Sequence, residues 1–231
     1  MLTRGLQGAM LHHSNESEHS MQFSIQRNQL KAMSRLAATS DIRYYLNGLH
    51  VVQDNRGTYI EATNGHMLGR LLIDETPIAN PCSVILPLES VKTLAATGKK
   101  GRETVCFTVD GVKISAINPQ GETMIFQAIE GKFPDCDRVV PTVTSDSGLE
   151  PSTYNPEYIA AFYDCANDLR GTKTKGISVQ IKQRGNDSGI VNIDSEPLFV
   201  GIIMPMREHN TVNIPTWCSR PKVAATEPVA A

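Results

Sequence analysis

The amino-acid sequence predicts an α+β protein assembled from repeated β-α-β-β-β units. Three observations predict it. Three helical stretches each carry a single apolar stripe, short alternating strands surround each of them, and the pattern returns roughly every 50–60 residues. A helix with one apolar stripe and a sheet with one buried face must cover each other. The helices are therefore expected on one face of antiparallel sheets.

The first unit opens with the strand MQFSIQ and continues into the helical stretch RNQLKAMSRLAA, where Leu30, Met33, Leu36 and Ala37 form the stripe. Two strand-like runs follow, YYLNGLHVVQ and YIEATNGHMLGRLLI. The second unit reads SVILP, then a helix with Leu88, Val91, Leu94 and Ala95 on one side, then TVCFTVDG, VKISAINP and ETMIFQAIEG. Val105, Phe107 and Val109 alternate with Cys106, Thr108 and Asp110, and Asp110-Gly111 is a hairpin signal. The third unit is expected to begin near Leu149. Its helix has Asn155 as N-cap, Pro156 in the first turn and Tyr158, Ala161, Phe162 and Cys165 as stripe. ISVQIKQ, GIVNIDS and PLFVGIIMPM supply its strands.

The expected organisation is a polar leader at 1–20, a complete two-unit domain at 21–141, a linker at 142–150, a half domain at 151–207 and a Pro/Ala/Thr-rich tail at 208–231. The 231 residues carry 22 Lys plus Arg against 24 Asp plus Glu, a net charge of −2 that excludes a basic whole-surface nucleic-acid binder but not a local basic face. No apolar run approaches the roughly 20 residues of a membrane span, and the five cysteines form no CxxC pair. A soluble, cytoplasmic chain without a disulfide framework is expected. No Gly-rich phosphate loop, HExxH or GxSxG motif is present, and Asp135 and Asp137 alone are a poor metal site. Neither a catalytic residue, a metal nor a cofactor is expected.

Charge is more informative. Arg27, Lys31 and Arg35 recur at i, i+4 and i+8 on the first helix, a spacing at which like charges repel by a few tenths of a kcal/mol per pair. A polyanion partner would explain the stripe; an ordinary solvated face is the alternative. Arg43, Tyr44 and Tyr45 join a cation to two rings that can contact phosphates and stack on bases; one Tyr in the core and one at the surface is the plainer reading. On the third helix Glu157, Asp164 and Asp168 are expected to face out.

Four motifs, RYYLNG at 43–48, ATNGHML at 62–68, FPDCDRVVP at 133–141 and IMPMR at 203–207, resemble the bacterial sliding clamp family in the family's order. The family is the β subunit of DNA polymerase III. The resemblance implies the DNA clamp fold, with curved sheets outside and helices lining a hole around double-stranded DNA. Units one and two correspond to the family's middle domain and unit three to the second half of its last domain. It places Arg27, Lys31 and Arg35 on the bore. It further implies a hydrophobic peptide pocket made by Leu46, Thr63, Gly65, His66, Leu68, Pro134, Arg138, Val139, Ile202, Met204, Pro205 and Met206. Implied partners are DNA polymerase and other clamp-binding-motif proteins, a clamp loader and further copies of the chain in an oligomer. An accessory clamp-like protein of a mobile element, binding clients without encircling DNA, is the alternative.

The chain departs from the family pattern at four residues and in its tail. Asn64 and Met67 replace Asp and Arg, and Cys136 and Asp137 replace Tyr and a basic residue, so a less basic pocket rim is expected. The tail past Arg207 carries Val212, Ile214 and Trp217. At about 3.3 Å per extended residue these can reach back about 30 Å to the pocket, or they can belong to a plain appendage.

Overall fold

A computed structural model describes residues 20–96, 102–141, 152–171, 178–184 and 187–207. The expected leader up to residue 19, the linker and the tail, the start of the third unit near Leu149 and the tail residues Val212, Ile214 and Trp217 all lie outside the described residues.

The first unit consists of β1 (Met21–Gln26), α1 (Arg27–Ser34), β2 (Gly48–Asp54), β3 (Gly57–Thr63) and β4 (Met67–Asp74). The second consists of β5 (Cys82–Pro87), α2 (Leu88–Ala96), β6 (Thr104–Asp110), β7 (Lys113–Ile117) and β8 (Thr123–Gln127). The third contributes α3 (Pro156–Arg170), β9 (Val179–Arg184), β10 (Asp187–Ile193) and β11 (Phe199–Ile203). Every strand pairing is antiparallel.

The strands do not stay within their units. One sheet has the order β1-β6-β7-β8 and the other β5-β2-β3-β4-β11-β10-β9. Units one and two thus exchange their first strands: β1 lies against β6, and β5 against β2. Unit three joins unit one through their last strands, with Gly69 opposite Gly201 at the centre of the β4–β11 pair.

The predicted stripes are the core. Leu30, Met33, Leu36, Val91, Leu94, Phe162 and Cys165 are buried together with Ile25, Leu49, Ile60, Phe107 and Phe199. Val105, Phe107 and Val109 are buried while Cys106, Thr108 and Asp110 are exposed, and β6 turns into β7 at Gly111 with φ of 56°. Asn155 caps α3 by accepting a hydrogen bond from the Glu157 N–H at 2.9 Å. A second, smaller core lies on the other face of the seven-stranded sheet. There Leu46, Leu68, Ile85 and Ile202 are covered by Phe133 and Cys136 from the segment after β8.

Both long strand-like runs of unit one divide. Tyr44–Leu46 is a 3₁₀ turn before β2. β3 and β4 are separated by a turn at Asn64-Gly65-His66, where Asn64 Oδ1 accepts the N–H groups of His66 and Met67, both at 2.9 Å. Only the acceptor oxygen is used, so Asn serves here as Asp would. Gly65 has φ of 89°, and a side chain there would meet the Arg43 guanidinium at 2.8 Å.

Candidate functional site: an apolar cavity across the β4–β11 seam

The turn after β3 and the end of β11 lie side by side, tied by the Met204 N–H donating to the His66 carbonyl at 2.9 Å. Beside them a cavity of about 190 Å³ opens on the outer face of the large sheet. Unit one supplies Leu46, Thr63, Gly65, His66 and Leu68; the segment after β8 supplies Pro134 and Val139; unit three supplies Ile202 and Met204. These are nine of the twelve expected residues, drawn from three parts of the chain. The other three stand elsewhere. The Arg138 side chain is 82% exposed. Pro205 is half-buried and Met206 exposed beyond the cavity edge, where the Met206 N–H donates to the Thr153 carbonyl at 2.7 Å.

Five lining residues were not expected there: Arg43, Tyr45, Met67, Asp135 and Cys136. Arg43 and Tyr45, grouped by sequence with Tyr44 as DNA contacts, both line the cavity, Tyr45 within the 3₁₀ turn and Arg43 immediately before it. Arg43 is bound to Asp41 at 2.7 Å, and its guanidinium holds the Asp41 carboxyl down at about 2. Tyr44 stays outside, 58% exposed and edge-on to Tyr45. His66 is exposed and stacks on Tyr158 of α3 at 5.8 Å. Burial pushes the Cys136 thiol up to about 12, so it is an apolar wall rather than a nucleophile.

The Cys136 wall is held by a charged network underneath it. Glu61, almost completely buried on β3, lies 2.9 Å from His50 Nδ1 and 2.6 Å from Arg70 Nη2. Arg70 reaches Asp137 at 2.7 Å, and Asp137 also takes Arg56 at 2.8 Å. Arg56 in turn pairs with Asp54 at 2.8 Å, and the Tyr59 hydroxyl donates to Asp54. Phe133 stacks on His50 at 4.5 Å. Asp137 therefore pairs with two arginines of the sheet beside the Cys136 wall. His50 and Arg70 hold the Glu61 carboxyl below the usual carboxylate range against the opposing effect of burial, and Arg56 and Arg70 do the same for Asp137.

The cationic stripe of α1 is also engaged. Arg27 is 5% exposed and donates to the Leu94 and Ala95 carbonyls at the end of α2 at 3.3 and 2.8 Å, while pairing with Glu103 at 3.1 Å. It fastens two helices and has no side-chain surface to offer DNA, which corrects its place in the expected bore. Lys31 and Arg35 meet Asp168 at 2.6 and 2.8 Å, and Arg35 comes within 3.8 Å of Asp164. Asp168 thus faces α1 rather than solvent. The three cations tolerate their spacing because other helices supply carboxylates and carbonyls.

The family model for the DNA polymerase III beta subunit, central domain, matches residues 20–135. The chain belongs to the sliding clamp family. The clamp-family chain is 32% identical to the beta sliding clamp of Pseudomonas aeruginosa over 135 residues, covering 54% of this chain and 35% of that one. It is 30% identical to the beta sliding clamp of Caulobacter vibrioides over 185 residues, covering 71% and 48%. It therefore spans between a third and a half of the length of these relatives. Among solved structures, the DNA polymerase III subunit beta from Pseudomonas aeruginosa superposes with a TM-score of 0.64 at 20% identity, over 84% of this chain and 68% of that one. The beta subunit from Streptococcus pyogenes gives 0.63 at 17% identity, over 80% and 66%. The repeated units with exchanged strands are this clamp-family fold. Among the described residues, no helix is long and apolar enough to cross a membrane.

Proposed function

We propose that this clamp-family chain is a non-enzymatic processivity factor of DNA replication. In this reading it captures DNA polymerase and other client proteins by a short extended peptide in the seam cavity, and it acts on double-stranded DNA in the bacterial cytoplasm. The observation that carries the reading is the cavity itself. Leu46, Leu68, Val139, Ile202 and Met204 make an apolar wall suited to aliphatic or aromatic anchors, and the exposed Arg43 and His66 are the polar lining residues for peptide groups. Met204 gives the wall adaptability toward several clients.

Met204 is half-buried, so Met204→Asp is expected to fold while placing a charge against apolar anchors. Its affinity for a peptide carrying Leu and Phe anchors should fall at least about tenfold, a loss of about 1.4 kcal/mol by calorimetry. Unchanged affinity in the folded variant would remove the peptide site.

DNA contact in this reading falls to Lys31, Arg35 and the exposed Tyr44, with Arg27 reserved for the fold. Replacing Lys31 and Arg35 by Gln should weaken association with duplex DNA and lower the slope of log K against log salt by about 2, because two phosphate contacts vanish. An unchanged slope would take both residues off the DNA surface. Peptide binding that persists alongside no DNA association in the parent would leave an accessory that binds clients only.

A further inference from the structure

The chain does not stop at the cavity wall. Past β11, Met204 lines the cavity, Pro205 is half-buried and Met206 is exposed beyond the edge. Two backbone N–H groups hold this exit in place. That of Met204 donates to the His66 carbonyl at 2.9 Å, and that of Met206 to the Thr153 carbonyl at 2.7 Å. Two extended residues cover about 7 Å, so the chain that follows sets out from a fixed point at the rim of the apolar wall.

The sequence that follows suits the wall it leaves. Arg207, Glu208, His209, Asn210 and Thr211 are polar, Asn is a turn former, and a turn reverses the chain in roughly four residues. Val212, Ile214 and Trp217 come next. In extended chain, residues two apart share a side, so Val212 and Ile214 form one apolar face. Pro215 is excluded from a helix interior and drives the residue before it, Ile214, toward extended backbone. An extended segment with aliphatic and aromatic anchors is the ligand that Leu46, Leu68, Val139, Ile202 and Met204 accommodate.

We infer that residues 212–217 are a ligand of the cavity, folding back onto it within the same chain and holding it until a client displaces them. The inference rests on the cavity being a peptide site and goes further by naming a ligand that the chain carries with it. The tether gives a weak ligand its effect. A short flexible linker sets an effective concentration of about 1 mM, so a segment with an intrinsic Kd of about 0.25 mM lowers the apparent affinity of a client about fivefold. The segment thereby acts as a filter: peptides that bind no better than it does are kept out, and only a client with a well-fitting anchor gains the cavity.

Trp217 is the single tryptophan of the chain and reports on the contact directly. In the full chain its emission should be blue-shifted and should stay so on dilution. It should shift to the red when the Leu/Phe-anchored peptide is added, and equally when Met204→Asp is introduced. The double variant Val212→Asp, Ile214→Asp should bind that peptide about fivefold more tightly than the parent, with a red-shifted Trp217 and unchanged circular dichroism. Equal peptide affinity in parent and double variant, or Trp217 emission that neither the peptide nor Met204→Asp moves, would overturn the self-ligand and leave the peptide site standing. A blue shift lost on dilution would overturn it too, by placing the segment in the cavity of another copy. A peptide that fails to bind even the double variant would overturn the peptide site, and the self-ligand with it.

Discussion

Arg70→Met is expected to destabilise the protein by about 3 kcal/mol and to weaken peptide capture by the remaining folded molecules. The first effect follows from what stays behind. Glu61 is 3% exposed and holds its charge through two partners, Arg70 and His50. Removing one partner of a buried pair costs about 3–5 kcal/mol because the other charge is left uncompensated, and the surviving His50 contact puts the loss at the lower end. The second effect follows from Asp137, which Arg70 ties to the sheet at 2.7 Å beside the Cys136 wall. Urea unfolding should show a lower midpoint with the slope unchanged. The double variant Glu61→Gln, Arg70→Met should recover part of the stability, since no buried charge remains. A single variant as stable as the parent would show that the network carries no net stability.

The same network sets an acid limit. Glu61, Asp54 and Asp137 all have carboxyls held below their ordinary range, Asp54 to about 2. Groups of this kind stabilise the fold at pH values above the ordinary carboxylate range. Their contribution disappears as pH falls through the depressed values, because the native state then has to take up protons that the unfolded chain has already bound. Stability should therefore decline from about pH 4 downward, and Arg70→Met should flatten that decline.

Local periodicity carried most of the fold into the sequence. The stripes Leu30–Met33, Val91–Leu94 and Phe162–Cys165 and the alternation of Val105, Phe107 and Val109 each follow from one element with one buried face. What periodicity lacks is the identity of the opposing face. Nothing local to β1 says that its partner is β6 rather than β2. Nothing local to α1 says that Lys31 and Arg35 will meet Asp168, more than 130 residues away. A cationic stripe looks the same in sequence whether its counter-charge is a nucleic acid or a neighbouring helix. The cavity was legible for a different reason: four motifs resembling one family mark the pieces of chain that meet there. That Arg43 and Tyr45 line the cavity was not legible, because nothing in the strand-like run YYLNGLHVVQ announces the 3₁₀ turn at Tyr44–Leu46 that precedes β2. Asp137 looked like a rim residue because Arg56, its partner, is 81 positions distant.

Gly201→Ala is expected to separate the first and third units and to abolish the cavity with them. Gly201 and Gly69 face each other across β11 and β4, the one strand pair that joins these units among the described residues. A Cβ on Gly201 would lie 2.6 Å from the edge of the Phe162 ring and 2.9 Å from the Cβ of Val191. Phe162 and Val191 are both 0% exposed, and the Val191 Cβ is fixed to its backbone, so neither has room to withdraw. Overpacking of this kind costs about 1–3 kcal/mol when the site can absorb it, and here the upper part of that range applies. At Gly69 the closest atom is Leu36 Cδ1 at 2.3 Å, and all three nearest atoms are far ends of side chains, with no Cβ fixed to its backbone among them. Gly69→Ala should accordingly cost less than Gly201→Ala even though its nominal contact is shorter. Because Leu68 and His66 stand on one side of the seam and Ile202 and Met204 on the other, any opening of the pair moves the two cavity walls apart. Peptide affinity should therefore fall in step with stability across the two variants. A Gly201→Ala protein as stable as the parent, with full peptide affinity, would mean that the β4–β11 seam yields without cost and that the glycines are not what brings the units together.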